Sequence, residues 1–165
     1  SRRQRQMCIR DRAITFLCSS NGAKKIYLLN RSVDKAQDIA HAVNTHFNNE
    51  KVIPMNIADY ADIPGDDYIV IQTTSVGLHP NDTAVVIDDE SFYKKAAVGV
   101  DIIYNPAETM FMKLIKAQGK KAYNGLKMLL YQGVSAYELW NDCKISKKEA
   151  DEVYKCLEKE LGINE

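Results

Sequence analysis

The chain has 165 residues, of which 45% are hydrophobic, enough to bury one core within the usual size of a single domain. Its 22 basic and 22 acidic side chains give a formal net charge of zero, which argues against nucleic acid as a partner. No apolar run approaches the length of a membrane span, so we also expect no membrane partner.

The first twelve residues differ in composition from the rest of the chain. They hold five of the six arginines, whereas the remaining residues use lysine almost exclusively. The segment lacks the apolar core of a secretory signal and the serine-rich amphipathic pattern of a mitochondrial presequence. We therefore expect residues 1–12 to be a leader that is foreign to the fold.

The hydrophobic pattern then predicts strands and helices in alternation. The predicted strands are 26–29, 51–55, 68–71, 98–104 and 121–123; helical segments are predicted at 13–20, 33–47, 59–63, 91–97, 109–118, 126–140 and 146–161. This order predicts an α/β fold with a doubly wound parallel sheet covered by helices on both faces.

The segment Ile26–Lys35 reads as a strand that feeds a helix, with the hydroxyl of Ser32 as the predicted helix cap. In a dinucleotide-binding sheet this strand tip meets the adenosine ribose, where a carboxylate suits NAD. Here the tip has no acid. It offers the polar side chains of Asn30 and Ser32 and the cations of Arg31 and Lys35. Because these cations match a phosphate, the pattern predicts a 2′-phosphate site and therefore NADP. The alternative is that both cations are merely solvated.

A second candidate loop, Thr73–Gly77, follows the strand at 68–71. Its hydroxyls and its glycine would suit a phosphate or a nicotinamide, and the alternative is a polar loop without a ligand. Ligands of such sheets bind at the carboxyl ends of the strands. The expected ligand-facing segments are 30–32, 73–77, 104–106 and 124–125.

The four cysteines, Cys8, Cys18, Cys143 and Cys156, show no metal-ligand spacing, and no histidine cluster accompanies them. We expect free thiols in the reducing cytoplasm and no metal site.

Two helices end the chain. The segment Leu126–Trp140 is apolar almost all round, which predicts a buried helix or one shared between two domains. A capping box, Ser146–Glu149, begins a final surface helix. We expect three parts: the leader at 1–12, a nucleotide-binding domain at 13–125 and C-terminal helices at 126–165.

By its motifs the chain resembles the C-terminal, NADP-binding part of shikimate dehydrogenases. The matching segments are Gly22–Ile26 with Asn30–Ser32, Thr73–Gly77, Asp101–Pro106 and Asn124–Gly133, in the right order and spacing. The resemblance extends from Arg12 to about Gly162.

This resemblance implies a Rossmann-like domain and the NADP-dependent interconversion of shikimate and 3-dehydroshikimate in aromatic amino-acid biosynthesis. It leaves a homodimer of the full-length enzyme open. The implied cofactor-binding residues are Asn30, Arg31, Ser32, Lys35, Thr73, Thr74, Ile102, Gly125 and Met128, and the implied substrate-binding residues are Tyr104 and Gln132. We also expect the polar side chain of Gln132, among apolar neighbours, to need a partner.

Three departures from the family lead us to expect a fragment that is inactive alone. The glycine-rich turn that anchors the pyrophosphate is replaced by the arginine-rich leader. The first strand is replaced too, and Met7-Cys8-Ile9 could fill only part of its place. No catalytic lysine and aspartate pair can be assigned here. The alternatives are a nucleotide-binding module without chemistry and a dehydrogenase of quinate type.

Overall fold

The structure is a computed structural model that describes residues 2–163, with side chains from residue 9 onward. The chain divides into two compact units, Ser1–Asp66 and Asp67–Glu165. The first unit contains α1 (Arg2–Ser20), β1 (Ile26–Asn30), α2 (Val33–Phe47), β2 (Val52–Asn56) and a 3-10 helix (Ile57–Asp62). The second contains β3 (Tyr68–Gln72), α3 (Glu90–Lys94), β4 (Ala96–Asp101), α4 (Met110–Ala117), β5 (Lys121–Tyr123), α5 (Leu126–Asn141) and α6 (Lys147–Glu160).

The predicted alternation of strands and helices is confirmed, and the clearest shift concerns β4. The sequence predicts this strand at 98–104, but it ends at Asp101. There the carboxylate of Asp101 accepts a hydrogen bond from the backbone N–H of Ile103 at 3.0 Å. A side chain that bonds the backbone two residues ahead stabilises a turn, so the chain leaves the sheet earlier than its apolar run suggests.

All strand pairs are parallel, as predicted, but the strands form two sheets rather than one. β1 pairs with β2 in the first unit, and β3, β4 and β5 follow one another in the second. Helix α1 begins at Arg2, so residues 2–12, which the sequence predicts to be foreign to the fold, continue into the helix predicted at 13–20. Met7-Cys8-Ile9, the segment that could have filled part of the place of the family's first strand, lies within this helix.

Helix α2 supplies most of the core of the first unit. Its apolar residues recur at helical spacing, so they share the face that packs on the strands. The buried cluster contains Ile39, Ala40, Val43 and Val52, with Phe16, Ile26, Leu28 and Phe47 packed against it. The side-chain amide of Asn44 both donates to and accepts from the backbone of Val52, at 2.9 and 3.0 Å. These bonds fix the start of β2 against α2.

In the second unit, α4 buries an apolar face against β4. Phe111, Met112 and Ile115 are buried, and Ile115 packs directly over Gly99. A Cβ atom at residue 99 would lie 2.8 Å from Cγ1 of Ile115, closer than real side chains approach. The glycine therefore lets the helix lie against the strand.

The two C-terminal helices differ in burial. Leu126 and Leu130 of α5 are buried, whereas Leu139 and Trp140 are 81% and 80% exposed. The alternative of a wholly buried helix is therefore wrong for the second half of α5. The predicted capping box of α6 is confirmed, because the side chains of Ser146 and Glu149 each bond the other's backbone N–H.

Over the part of the chain that the structure describes, no helix combines the length and the apolar character needed to cross a bilayer.

Tyr93 is 1% exposed, and its hydroxyl donates to the carbonyl of Ile87 at 2.6 Å. Burial, aided by the Asp88 carboxylate, raises the pKa of Tyr93 to about 12. We expect Tyr93→Phe to leave the Ile87 carbonyl unpaired and to lower the free energy of unfolding by about 1–3 kcal/mol, measured by chemical denaturation. Tyr137→Phe, at a side chain that is 52% exposed, is the control and should change little. Equal effects of both substitutions would contradict the role of the buried hydrogen bond.

Candidate functional site

In the first unit, the candidate site lies where β1 passes into α2. Asn30 is the last residue of β1, and its amide oxygen accepts from the backbone N–H of Ser32 at 3.0 Å. Its amide nitrogen donates to the carboxylate of Asp11 at 3.5 Å. Asn30 thus shapes the turn into the helix through its side chain.

Ser32 is the N-cap residue of α2, as predicted, but the expected capping bond from its side chain is wrong. The turn is held instead by Asn30, which bonds the backbone of Ser32. The hydroxyl of Ser32 makes no bond to the first turn of α2. It stands beside the helix N-terminus, where the positive end of the helix dipole favours an anion.

The two predicted cations flank this turn. Arg31 is exposed and Lys35, in the first turn of α2, is half-buried. Among the residues that the structure describes, neither takes part in an ion pair. Two acids, Asp34 and Asp38, lie on the same helix as Lys35. The local charge around the two cations is therefore mixed, although the tip of β1 itself contains no acid.

Lys35 also borders a shallow cavity of about 240 Å³ between α1 and α2. The other lining residues are Ile9, Arg12, Asp38 and Ile39. The cavity lining therefore combines the guanidinium of Arg12 and the ammonium of Lys35 with the carboxylate of Asp38. At the N-terminus of α2, the exposed guanidinium of Arg31 and the ammonium of Lys35 are chemically suited to bind an anion.

In the second unit, the ends of β3 and β4 are joined by a buried polar network. Asp101 is 0% exposed, and its Oδ2 accepts from Nε2 of Gln72 and from the hydroxyl of Thr109, each at 2.7 Å. Its Oδ1 accepts from the backbone of Ile103. The network connects both strand ends to the start of α4, because Thr109 is the N-cap of that helix.

Burial raises the pKa of Asp101, and the hydrogen bonds from Ile103, Thr109 and Gln72 oppose this rise. The net direction is upward, so the folded chain holds the proton of this carboxyl more strongly than a solvated carboxyl would.

The loop after β3 is organised by its own hydrogen bonds. The hydroxyl of Thr74 accepts from the backbone of Val76 at 3.2 Å, and Gln72 donates to the carbonyl of Val76 at 3.1 Å. Gly77 ends the loop with a φ of +99°, a conformation that glycine adopts readily. Thr73 and Thr74 are half-buried. For Thr74, this pattern supports the alternative of a structural polar loop.

The segments after β4 and β5 meet at Gly125. Its backbone N–H donates to the carbonyl of Ile103 at 2.8 Å, and a Cβ atom at residue 125 would clash with the carbonyl of Ile102. The structure therefore brings Ile102 and Gly125 together, two residues that the resemblance implies for the cofactor site. Met128 lies half-buried in the first turn of α5.

The two predicted substrate residues are both accessible. Tyr104 is 38% exposed, and Gln132 is exposed on α5. The expectation that Gln132 needs a partner among apolar neighbours is therefore wrong, because its amide can reach water. An exposed hydroxyl and an exposed amide can both bond a polar ligand.

Sequence reasoning assigned no site role to Gln72, Asp101 or Thr109. One signal was present, since Asp101 interrupts an apolar run that reads as a buried strand. A carboxylate in such a place needs hydrogen-bond donors. The pattern could not reveal which side chains supply them.

The structure also describes three cysteines, Cys18, Cys143 and Cys156, and all are free thiols, as predicted. The side chain of Cys8 lies outside the described residues. Among the described residues, no group of three or more histidine, cysteine or acidic side chains could hold a metal ion.

Comparison with known proteins gives a consistent result. No protein-family profile matches the chain. The shikimate dehydrogenase (NADP(+)) of Clostridium perfringens strain 13 is 36% identical over 148 residues, which is 88% of this chain and 51% of that protein. A chorismate mutase/shikimate 5-dehydrogenase fusion protein from Clostridium acetobutylicum matches with a TM-score of 0.77 and 32% identity, over 91% of this chain and 51% of that one.

Shikimate dehydrogenase 1 from Peptoclostridium difficile matches with a TM-score of 0.74 and 31% identity, over 90% of this chain and 50% of that one. The chain thus spans about half the length of the relatives that it matches.

Gly125 and Gly133 provide a matched test of the contact between the segments after β4 and β5. We expect Gly125→Ala to lower the free energy of unfolding by about 3 kcal/mol or more, because the added methyl group meets the Ile102 backbone. Gly133→Ala, in the helix that follows and with open space around it, should stabilise the chain by up to about 1 kcal/mol. Chemical denaturation measures both. Similar effects of the two substitutions would contradict the close contact.

The pKa of Asp101 predicts a pH dependence of stability. Because that pKa is raised on folding, protonated Asp101 contributes to the free energy of unfolding in acid. This contribution is lost as pH rises through the folded pKa. The stability of the unmodified chain relative to Asp101→Asn should therefore fall as pH rises above about 4, the ordinary pKa of an aspartate.

Glu149→Gln is the control of opposite sign. Hydrogen bonds from Ser146 lower the pKa of Glu149, so its contribution is lost as pH falls. The stability of the unmodified chain relative to this variant should rise with pH. Slopes of the same sign for the two acids would contradict the assignment of Asp101 as a desolvated carboxyl.

Proposed function

The chain is a homologue of the NADP-dependent shikimate dehydrogenases over about half of their length, and we propose that it is the cofactor-binding half of such an enzyme. The enzyme would interconvert shikimate and 3-dehydroshikimate, a step of aromatic amino-acid biosynthesis. The chain by itself would be inactive, because no lysine and aspartate pair for acid–base catalysis is assigned to it.

The observation that carries this proposal is the unpaired cationic tip of β1. A relative that is 36% identical is named for NADP(+), and in this chain Arg31 is exposed beside a helix N-terminus. Arg31 and Lys35 would bind the 2′-phosphate, while Asn30 and the uncommitted hydroxyl of Ser32 would bond the adjoining ribose. NADP would supply the hydride acceptor of the reaction.

In the second unit, Ile102, Gly125 and Met128 would form the wall against the nicotinamide. Support comes from the close backbone contact between Gly125 and Ile102, which holds the segments after β4 and β5 together. Thr73 and Thr74 would border the cofactor beside this wall, and Tyr104 and Gln132 would bond the substrate. These last two side chains have the exposure that this role requires.

The fit to the cofactor is incomplete at the pyrophosphate. The relatives' glycine-rich turn corresponds to residues before Arg12, and these lie inside helix α1. A helix interior has its backbone N–H groups bonded within the helix, so they are not free to bind phosphate oxygens. We therefore expect binding to depend mainly on the 2′-phosphate.

The C-terminal helices support a two-domain arrangement. Tyr137, Leu139 and Trp140 form an exposed apolar stretch at the end of α5. Exposed apolar patches of this kind commonly mark interaction surfaces. We propose that residues 126–165 pack on the catalytic domain of the complete enzyme.

A nucleotide-binding module without chemistry is the second candidate function, favoured by the exposed Arg31 at the tip of β1, which would suit a nucleotide phosphate whether or not a reaction follows. Kinetics of the full-length protein distinguish the two. Reduction of NADP with shikimate supports the dehydrogenase, whereas activity only with NAD or only with quinate would overturn the assigned cofactor or substrate. Cofactor binding without any turnover would favour the module.

The double substitution Arg31→Ala and Lys35→Ala tests the phosphate site. We expect the affinity of the chain for NADP to fall by about 10- to 100-fold, because two charged hydrogen-bond donors are lost. The affinity for NAD, which lacks the 2′-phosphate, should change by less than about threefold. Titration followed by NMR chemical shifts measures both constants, even for weak binding.

Lys25→Ala is the matched control, since Lys25 is an exposed lysine just before the amino end of the same strand. It should change neither affinity. An equal loss for NADP and NAD in the double variant, or a loss of similar size in the control, would contradict a specific 2′-phosphate site.

A further inference from the structure

The carboxylate of Asp101 has no role in the proposed chemistry, yet it is fully buried at the edge of the sheet where ligands bind in this class of fold. Burying a charge is costly unless strong hydrogen bonds compensate. An asparagine or a serine could end a strand at much lower cost. The position therefore calls for a reason beyond the turn that it stabilises.

The hydrogen bonds around the buried group favour its charged form, whereas burial acts against them and raises the pKa of Asp101. Gln72 Nε2 and the backbone N–H of Ile103 can only donate. The hydroxyl of Thr109 already accepts from the backbone of Met112 at 3.4 Å, so its own hydrogen is free to point at Asp101. Three donors directed at two carboxylate oxygens favour the ionised form.

This charge is joined through the backbone to the residues of the wall proposed for the nicotinamide. Asp101 precedes Ile102 in the chain, and its Oδ1 binds the backbone of Ile103. The carbonyl of Ile103 in turn binds the backbone N–H of Gly125. One peptide layer thus connects the buried carboxylate to the residues that would contact the ring.

The two states of the cofactor differ in charge at this ring. The oxidised nicotinamide carries one positive charge, and hydride uptake removes it. A fixed negative charge behind the ring attracts the oxidised state and has little effect on the reduced one. Both states share the 2′-phosphate and the adenosine, so those contacts cancel in a comparison of the two.

We propose that the buried carboxylate of Asp101 is an affinity determinant that favours NADP⁺ over NADPH, an inference that rests on the proposed function. Gln72 and Thr109 are positioning residues in this scheme, because they hold the carboxylate in place without contacting the cofactor. The scheme concerns the balance between the two cofactor states, which homology to the relatives does not specify.

The test is the ratio of the dissociation constants for NADP⁺ and NADPH, measured on the chain by NMR titration without turnover. Asp101→Asn keeps the shape and removes the charge. We expect it to weaken NADP⁺ binding relative to NADPH by about tenfold, the effect of one partly screened charge. Thr109→Val keeps the charge and removes one hydrogen bond, so it should leave the ratio within about threefold of the unmodified chain.

An unchanged ratio in a folded Asp101→Asn variant would overturn the proposal, while measurable binding of both cofactors would leave the proposed function standing. Failure of both cofactors to bind the unmodified chain would count against the proposed function and against this inference with it. Should Asp101→Asn not fold, as judged by circular dichroism, Asp101→Ser replaces it. That variant also removes the charge, and its hydroxyl can still accept from the backbone of Ile103, so NADP⁺ binding should again weaken relative to NADPH by about tenfold. An unchanged ratio in this variant would overturn the proposal.

Discussion

The second unit is organised around one constraint, the need to satisfy a buried carboxylate. Asp101 lies where β4 ends, and its three hydrogen-bond donors come from β3, from the turn after β4 and from the cap of α4. Each donor fixes a different segment, so the charge aligns the strand ends with the helix that follows. The bond from Gly125 to Ile103 extends this order to the start of α5. A polar network of this kind specifies one arrangement, because any other leaves a buried charge unpaired.

The first unit differs in that two of its cations, Arg31 and Lys35, form no ion pair with the residues that the structure describes. Asn30 holds the turn after β1 with its amide. Among the described residues, the hydroxyl of Ser32 makes no cap bond. Side chains that a fold does not need for itself are available to a ligand. The helical state of residues 2–12 has the opposite consequence, since it commits the backbone groups that a glycine-rich turn would offer. Under the proposed function, the chain would therefore bind the 2′-phosphate better than the pyrophosphate.

Particular residues show how far sequence reasoning reached into the site. Arg31 and Lys35 were predicted from charge alone, because a strand tip with two cations and no acid favours a bound phosphate. The resemblance implied a cofactor role for Ile102 and Gly125, but their contact appears only in the structure, where the absent Cβ atom permits it. Ser32 and Gln132 were assigned the wrong local environments. Their surroundings depend on a neighbour's amide and on the exposed side of a helix, and neither is visible in a pattern of residue types.

The sequence by itself determined the order of strands and helices, their parallel pairing and the chemistry of the tip of β1, because periodicity and residue type are local properties. Only the tertiary structure decided that the strands form two sheets, that α1 extends through the leader and that Asp101 is enclosed by Gln72 and Thr109. These features depend on contacts between residues far apart in the chain. Such contacts are set by packing and by the hydrogen bonds that buried groups require, which no single stretch of sequence contains.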